Sequence, residues 1–285
     1  MVSTRGLRLT IVCLLASACP PWGAAKRTYS SDIGVEAVSV DTGSLEGTWL
    51  AQMELSSIIE LPIVGSRSGG SNRGRLVHLR WDAAQAAYHV DMKWCWADIF
   101  EVEGVSHRFE DSALDHLDLV RSDATMDHEK GSLETGRTLD IWALRGMPDA
   151  FTTALPNHDN YDSPPQSDWV FDQDQDGKPA VTVHMSGTLN GDGYVVARTI
   201  FRLTGVTRTP DEVVGLFQAE RIEQRMLDST INVMGVNQSA VETSERPDDN
   251  PKNSWFQMVR GPDAATCDDV RSARDDGRLP SRRPF

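Results

Sequence analysis

The chain has 285 residues, with 28 Lys and Arg against 42 Asp and Glu, which gives a formal net charge of −14 and a pI near 4.9. Hydrophobic residues make up 39% of the sequence, which is ordinary for a globular protein and too high for a wholly disordered one. The acidic balance argues against nucleic-acid binding, because neutralising phosphates requires a basic face. No run of about 18 apolar residues occurs, so hydropathy predicts no transmembrane helix.

The N-terminus has the pattern of an export signal. Arg5 and Arg8 form a basic region, residues 9–15 form a short apolar core, and residues 16–18 are the small residues that a signal peptidase needs. Because Cys19 follows directly, the segment resembles the bacterial lipoprotein signal, in which this Cys becomes the lipidated N-terminus. The resemblance implies a signal peptide at 1–18 and an acylated Cys19 that anchors the protein to a membrane of the cell envelope, on its periplasmic or outer-membrane face.

The alternative is an ordinary secretory peptide, cut at the same bond or after Ala25. In either case the protein is predicted to be exported. Residues 19–44 have little periodicity and are predicted to be a tether. Residues 45–270 are predicted to form a single barrel-like domain, and 271–285, rich in Arg, Asp and Pro, a disordered tail.

The cysteines favour one disulfide. Of the four, Cys13 leaves with the signal and Cys19 is lipidated, so Cys95 and Cys267 remain as an even pair in an oxidising compartment. Their link ties the C-terminal end to the body and is worth about 5 kcal/mol in chain-entropy models. The alternative is two unpaired thiols, with Cys95 buried and Cys267 free.

The body of the chain is predicted to be antiparallel β-structure. Segments of high β-propensity recur between clusters of Gly, Pro, Asn and Asp. A hairpin is expected at Asn190-Gly191-Asp192-Gly193, because Asn and Gly tolerate a positive φ, and another at residues 82–85. The stretch 107–137 is polar and is predicted to be long loops with one short helix near 112–120. The predicted strands are 47–54, 75–81, 87–96, 138–144, 180–189, 194–203, 213–225, 230–236 and 254–260.

About nine strands with hairpin connections predict an all-β fold, an antiparallel meander that closes into a lipocalin-like β-barrel, with a sandwich as the alternative. A barrel is preferred because closure removes exposed sheet edges. The start of the first strand, Glu46-Gly47-Thr48-Trp49, is similar to the lipocalin (calycin) pattern. In that family the Trp plugs the closed end of the barrel and an Arg from the last strand packs on it, a role that falls here to Arg260.

The whole mature chain resembles a group of uncharacterised exported lipoproteins from myxobacteria and their relatives. The resemblance rests on the segment 172–182, the strand 194–203, and the segment 254–260 followed by Cys267. This chain has Pro179-Ala180 where relatives often carry Pro-Gly. No activity is known for the group, so the resemblance implies an architecture and a location only.

Asp172, Asp174 and Asp176, followed by Gly177, form the strongest local motif. Alternate carboxylates in a tight loop direct oxygens to one centre, as in the first half of a Ca²⁺ loop. Position 12 of an EF-hand needs a bidentate Glu, and here it is Val183, so the motif is not an EF-hand. It resembles the short Asp-rich calcium loops of thrombospondin-type repeats, and the predicted cofactor is a structural Ca²⁺. Further ligands are available at positions 162, 168 and 192, and the alternative is a solvated acidic turn.

Nucleophile and zinc motifs are absent from the sequence, whereas a catalytic pair of carboxylates stays an open alternative, because such pairs form in space and the chain has 42 acidic residues. The seven His residues show no metal-ligand spacing, so zinc is not indicated. No Gly-x-Ser-x-Gly motif occurs, and the Gly- and Ser-rich stretch 65–71 is predicted to be a flexible loop. An enzyme on a calycin-like barrel is therefore the least favoured of the functional hypotheses.

Tryptophans are concentrated in the predicted barrel. Trp81, Trp94 and Trp96 crowd one hairpin, with Trp49 near them, and alternation places Tyr88 on the same face as Trp94 and Trp96. These rings either fill the core or line a cavity for a ligand. The leading hypothesis is a non-enzymatic envelope lipoprotein, structural or binding a small apolar ligand at these four tryptophans. A Ca²⁺-dependent adhesion or partner-binding module is the alternative.

Overall fold

A computed structural model describes residues 33–61, 65–233, 236–237, 244–280 and 282–284. The predicted signal peptide 1–18 and the predicted lipidation site Cys19 lie outside the described residues. No helix in the described ranges is long and apolar enough to cross a membrane. The strands are β1 (Gly47–Leu61), β2 (Gly65–Asp82), β3 (Ala87–Ile99), β4 (Val105–Phe109), β5 (Val120–Asp127), β6 (Ser132–Thr135), β7 (Thr138–Trp142), β8 (Val181–Gly187), β9 (Gly191–Thr209), β10 (Glu212–Ser229), β11 (Asn232–Val233), β12 (Val236–Asn237), β13 (Ser244–Pro247) and β14 (Trp255–Arg260). The α-helices are α1 (Asp111–Asp115) and α2 (Cys267–Asp275).

The prediction of an all-β barrel is confirmed. Twelve strands form one antiparallel sheet, and its hydrogen bonds close a ring through eight of them, in the order β10, β14, β1, β2, β3, β5, β6 and β9. The ring is uneven, because one edge of β9 pairs in turn with β6, β7 and β8, while β4 extends the sheet beyond β8. On the other side of the barrel, β1 pairs first with β14 and then with β13.

Alternation along the strands separates the interior of the barrel from its outer surface. On β1, Trp49, Ala51 and Met53 point inward, whereas Leu50 packs on the outside against α2. The rings of Phe201 and Phe217 stack in the interior with their centroids 4.4 Å apart. The apolar core therefore fills the half of the barrel around the first residues of β1.

Eight of the nine predicted strands are present, and several are longer than predicted. The prediction of one strand at 230–236 is wrong, because residues 232–233 and 236–237 form the short strands β11 and β12, which pair with each other, and 234–235 lie outside the described residues. The hairpin at residues 82–85 is confirmed between β2 and β3, and the one near Asn190 is confirmed between β8 and β9. The ambiguous segment 213–225 is a strand, as predicted. The prediction of a flexible loop at 65–71 is wrong, because these residues pair with the second half of β1. The prediction of long loops at 107–137 is also wrong, since β4, β5 and β6 lie in or overlap this stretch.

Parts of the predicted tether and tail pack on the barrel instead. Ile33 is buried with Val214 and Leu216, and the Val38 amide donates to the Thr207 carbonyl at 2.8 Å. In the segment 271–285, the first residues continue α2 and Leu279 is buried. Val270 and Ala273, three residues apart in α2, pack with Leu279 on the outer face of the barrel, and that burial stabilises the helix.

A β-bulge in β3 changes the face of one tryptophan. Arg75 pairs with Trp94 and Gly74 pairs with Trp96, so Cys95 is the extra residue. The bulge turns Trp96 to the outer surface, where it packs beneath α2. The expectation that Tyr88, Trp94 and Trp96 share one face is therefore wrong for Trp96.

Candidate ligand cavity and acidic loop

A cavity of about 370 Å³ lies where the sheet becomes uneven, toward the end of the barrel away from Trp49. Its walls come from the last residues of β3 and β10, the first residues of β9, and the edge strands β4, β8 and β13. The volume is within the range of small-molecule sites in proteins. The lining is mainly apolar and includes Trp94, Phe109, Trp142, Val183, Val195 and Met226.

Aromatic side chains form one wall of the cavity. The Trp142 ring makes edge-on contacts with Trp94 and with Phe109, each with a centroid distance of 5.1 Å. These contacts hold the three rings in one arrangement, since edge-to-face packing is a favoured geometry for aromatic pairs. The wall is thus a preformed apolar surface.

A buried ion pair lies in the barrel interior beside the cavity. Arg75 is completely buried, and its Nη2 donates to the Oδ2 of Asp140 at 2.5 Å. The indole N–H of Trp94 donates to the other carboxylate oxygen at 3.2 Å. The guanidinium of Arg75 lies 4.1 Å from the Trp94 ring centroid. The ion pair, the indole hydrogen bond and this cation–π contact together hold Arg75, Asp140 and Trp94 in place.

Arg73, two residues before Arg75 on β2, lines the cavity itself. Its Nε donates to Ser71 Oγ at 2.7 Å, and its Nη1 is 3.9 Å from Asp140. Burial lowers the pKa of Arg73 to about 10, with the Asp140 charge acting in the opposite direction. The guanidinium therefore keeps its positive charge at neutral pH.

Glu245 on β13 also lines the cavity, close enough to Arg73 for the two charges to interact. Burial raises its pKa, and the nearby charge of Arg73 lowers it by less. This carboxyl consequently titrates above the range usual for Glu.

The structure separates the four tryptophans predicted to bind a ligand. Trp94 lines the cavity. Trp49 is in the apolar core of the barrel and Trp81 packs against that core, while Trp96 lies outside beneath α2. Trp142, which also lines the cavity, was not among the predicted residues.

The contact expected between Trp49 and Arg260 is present at the other end of the barrel. The guanidinium of Arg260 lies 4.4 Å from the Trp49 ring centroid and donates to the carbonyls of Ser44 and Glu46. The Trp49 indole N–H donates to the Leu45 carbonyl at 2.9 Å. These contacts close that end.

The predicted disulfide between Cys95 and Cys267 is confirmed. It joins the bulge of β3 to the first residue of α2, and the pair is separated by 172 residues in sequence. A disulfide is compatible with an exported protein.

The acidic loop brings its three carboxylates together. Ligand atoms of Asp172, Asp174 and Asp176 lie within 4.8 Å of one another, so the group can hold a metal ion. Asp172 accepts from the backbone amides of Asp176 and Gly177, an arrangement that closes the loop. Among the described residues, this group does not include the acidic side chains at 162, 168 and 192 that were suggested as further ligands.

Asp174 is the buried member of the acidic loop. Its Oδ2 accepts from the Thr182 amide at 2.7 Å, whereas its Oδ1 is buried without a hydrogen-bond partner among the described residues. Burial raises the pKa of Asp174, and the Asp176 charge acts in the same direction. Val183, at position 12 of the loop, is buried in β8.

Comparison with protein-family models, curated proteins and solved structures gives no match.

Sequence reasoning missed the charged residues beside the cavity, although a signal for them was present. Arg73 and Arg75 occupy the same alternating phase as Val77 and Leu79 on β2, which places them inside the barrel. Asp140 lies between Thr138 and Trp142 on a strand of five residues. A charged residue that alternates in step with inward-facing apolar residues predicts a buried polar group. Its partner on another strand could not be predicted, because the partner depends on how the strands are aligned in the sheet.

Proposed function

We propose that this protein is an exported, lipid-anchored binding protein of the cell envelope that holds a small apolar ligand in the cavity beside Trp94. The observation that carries the proposal is the cavity of about 370 Å³, whose lining is mainly apolar side chains. A concave apolar site with a few polar groups is the usual form of a small-molecule site. The disulfide supports export, because such bonds persist in oxidising compartments.

Binding of the neutral fluorescent probe N-phenylnaphthylamine tests the proposal. The wild-type protein is expected to bind one probe molecule, with quenching of tryptophan emission because Trp94 and Trp142 line the cavity. Ala97→Trp places a large ring in the lining and is expected to weaken binding by roughly tenfold or more. Ala84→Trp, in the exposed β2–β3 turn, is the matched control. A wild-type protein that does not bind the probe contradicts the proposal.

The lipid anchor is tested by mass spectrometry of the mature protein from its native membrane fraction. We expect an N-terminal Cys19 that carries acyl chains. An unmodified N-terminus further along the chain contradicts the anchor and makes the protein a secreted one.

A second proposal concerns the acidic loop, for which Ca²⁺ is the ion of choice because carboxylate oxygens in a flexible loop suit a hard cation. The unpartnered Oδ1 of Asp174, buried between two further carboxylates, supports it. We expect a structural role, since the loop is hydrogen-bonded to Thr182 in β8. A Ca²⁺-dependent adhesion module is the alternative role of the same loop.

Thermal unfolding with Ca²⁺, Mg²⁺ or a chelator tests the acidic loop. Ca²⁺ is expected to raise the Tm of the wild-type protein by binding the folded state, and to have little effect on Asp174→Asn. Asp159→Asn, at an exposed position outside the group, is the matched control. Equal Tm values with Ca²⁺ and with chelator contradict the proposal.

A further inference from the structure

The cavity contains a cation in a lining that is otherwise mainly apolar. The Arg73 side chain is 12% exposed, and its hydrogen bond in the described structure is donated by Nε to Ser71. The two terminal nitrogens of its fork make no hydrogen bond to a described residue, and the nearer carboxylate oxygen, on Asp140, is 3.9 Å from Nη1. The hydrogen-bonding capacity of the guanidinium fork is therefore largely unused.

Asp140 does not neutralise both arginines. Its Oδ2 accepts from Arg75 at 2.5 Å and its Oδ1 accepts from Trp94 at 3.2 Å. Arg75 still has two buried nitrogens, Nε and Nη1, without a hydrogen-bond partner among the described residues. Two guanidinium groups thus share one carboxylate in the interior, and an unpaired buried charge is costly.

The other titratable groups in the lining are engaged or shifted toward neutrality. Glu223 accepts from Arg198, and Glu103 pairs with Arg67. Burial lowers the pKa of His107, which favours its neutral form. Burial also raises the pKa of Glu245, which weakens it as a counter-charge. The described lining of the cavity therefore keeps an excess of positive charge at Arg73.

We infer that the ligand is an amphiphile with an apolar body and one carboxylate, and that the carboxylate pairs with the guanidinium of Arg73. This inference rests on the proposed function and specifies the ligand class of the same cavity. A carboxylate has two coplanar oxygens that match the guanidinium fork, and charge-assisted hydrogen bonds of this kind are strong in a site shielded from water. The apolar body occupies the wall formed by Trp94, Phe109 and Trp142.

Three ligands built on a ten-carbon chain test the inference on the wild-type protein, by displacement of N-phenylnaphthylamine. Decanoate is the anion, decanol is the neutral analogue and decyltrimethylammonium is the cation. Decanoate is expected to bind roughly tenfold or more tightly than decanol, because one charge-assisted pair is added. The cation is expected to bind least tightly, since it meets the charge of Arg73.

Arg73→Met removes the charge and keeps an apolar chain of similar reach, so the preference for decanoate over decanol is expected to disappear. Arg73→Lys keeps the charge without the fork and is expected to retain part of the preference. Arg80→Met, at an exposed position of the same strand, is the matched control and is expected to keep the full preference. If Arg73→Met does not fold, the ligand comparison on the wild-type protein and on Arg73→Lys still tests whether the carboxylate pairs with Arg73.

The outcomes separate this inference from the proposed function. Equal affinities for decanoate and decanol in the wild-type protein overturn the carboxylate assignment and leave the apolar site standing. Tighter binding of the cation overturns it as well. A protein that binds neither the probe nor any of the three ligands overturns the proposed function itself.

Discussion

The guanidinium carbon of Arg260 lies 4.4 Å from the ring centroid of Trp49, so the last strand of the barrel packs on the first. Arg260 also donates to the carbonyls of Ser44 and Pro210 and forms an ion pair with Asp211 at 2.7 Å. The position of this one side chain links β14, the β9–β10 turn and the residues that precede β1. The closed end of the barrel therefore depends on a cation and not only on apolar packing.

Arg260→Met is expected to lower the free energy of unfolding by about 2 kcal/mol, since it removes several charge-assisted hydrogen bonds and the cation–π contact while the apolar stem remains. Chemical unfolding followed by tryptophan fluorescence measures the change. Arg108→Met, at an exposed position of β4, is the matched control and is expected to stay within about 0.5 kcal/mol of wild type. A loss no larger than that of the control contradicts the role of Arg260.

The disulfide between Cys95 and Cys267 holds α2 on the outer face of the barrel. Replacing both residues by Ala is expected to cost on the order of 3–5 kcal/mol, because the loop that the bond closes is long. Trp96 packs beneath α2 and its ring lies 4.2 Å from the Arg274 guanidinium, so its emission is expected to shift to the red if α2 detaches. Reductant should destabilise the wild-type protein and leave the double variant unchanged. If the wild-type protein without reductant is no more stable than the double variant, this account is contradicted.

Gly74 is the position where the bulge of β3 brings Trp96 against β2. A Cβ at residue 74 would lie 1.9 Å from the indole nitrogen of Trp96, so Gly74→Ala is expected to displace the ring and to cost about 2–3 kcal/mol. Gly136→Ala is the matched control, because the added Cβ there meets its nearest atom at an ordinary 3.5 Å. A Gly74→Ala variant as stable as the control would show that Trp96 accommodates the methyl group without loss.

The barrel could be predicted because its strands alternate and its hairpins carry recognisable turns. The strands β5 and β6 were missed because their inward positions include small or polar side chains such as Ala124 and Thr135, which give little hydrophobic contrast. The helix α2 was missed because most of its residues are polar or charged. Its buried residues, Val270 and Ala273, are covered only through a tertiary contact with the barrel. Local patterns cannot show such contacts.

The site was predicted only in part for the same reason. The acidic loop is contiguous in sequence, so its three carboxylates could be named from their spacing. The cavity is formed by residues from several distant strands, and Arg73, Asp140 and Glu245 meet there only through the register of the sheet. The extra residue at Cys95 also reverses the faces of β3 beyond the bulge. Trp96, which was predicted to bind the ligand, therefore lies on the outer surface of the barrel.

Glu245 is expected to make the stability of the protein depend on pH. Burial raises its pKa above the ordinary 4.5. Between the ordinary pKa and the raised one, the folded state therefore holds a proton that the unfolded state has released. The stabilisation is fully present below the ordinary pKa and is lost as pH rises through the raised pKa of the folded state. Glu245→Gln mimics the protonated carboxyl and removes this dependence. The variant is therefore expected to be more stable than wild type at neutral pH, and the difference should shrink toward about pH 4.

Unfolding in urea at a series of pH values measures the effect of Glu245. Glu134→Gln, at an exposed position of β6, is the matched control and should follow the wild-type curve. The ionised form of Glu245 attracts the guanidinium of Arg73, and Glu245→Gln removes that attraction. A variant less stable than wild type at neutral pH would mean that the carboxylate is ionised and paired with Arg73, and that the positive charge in the cavity is already balanced by the protein.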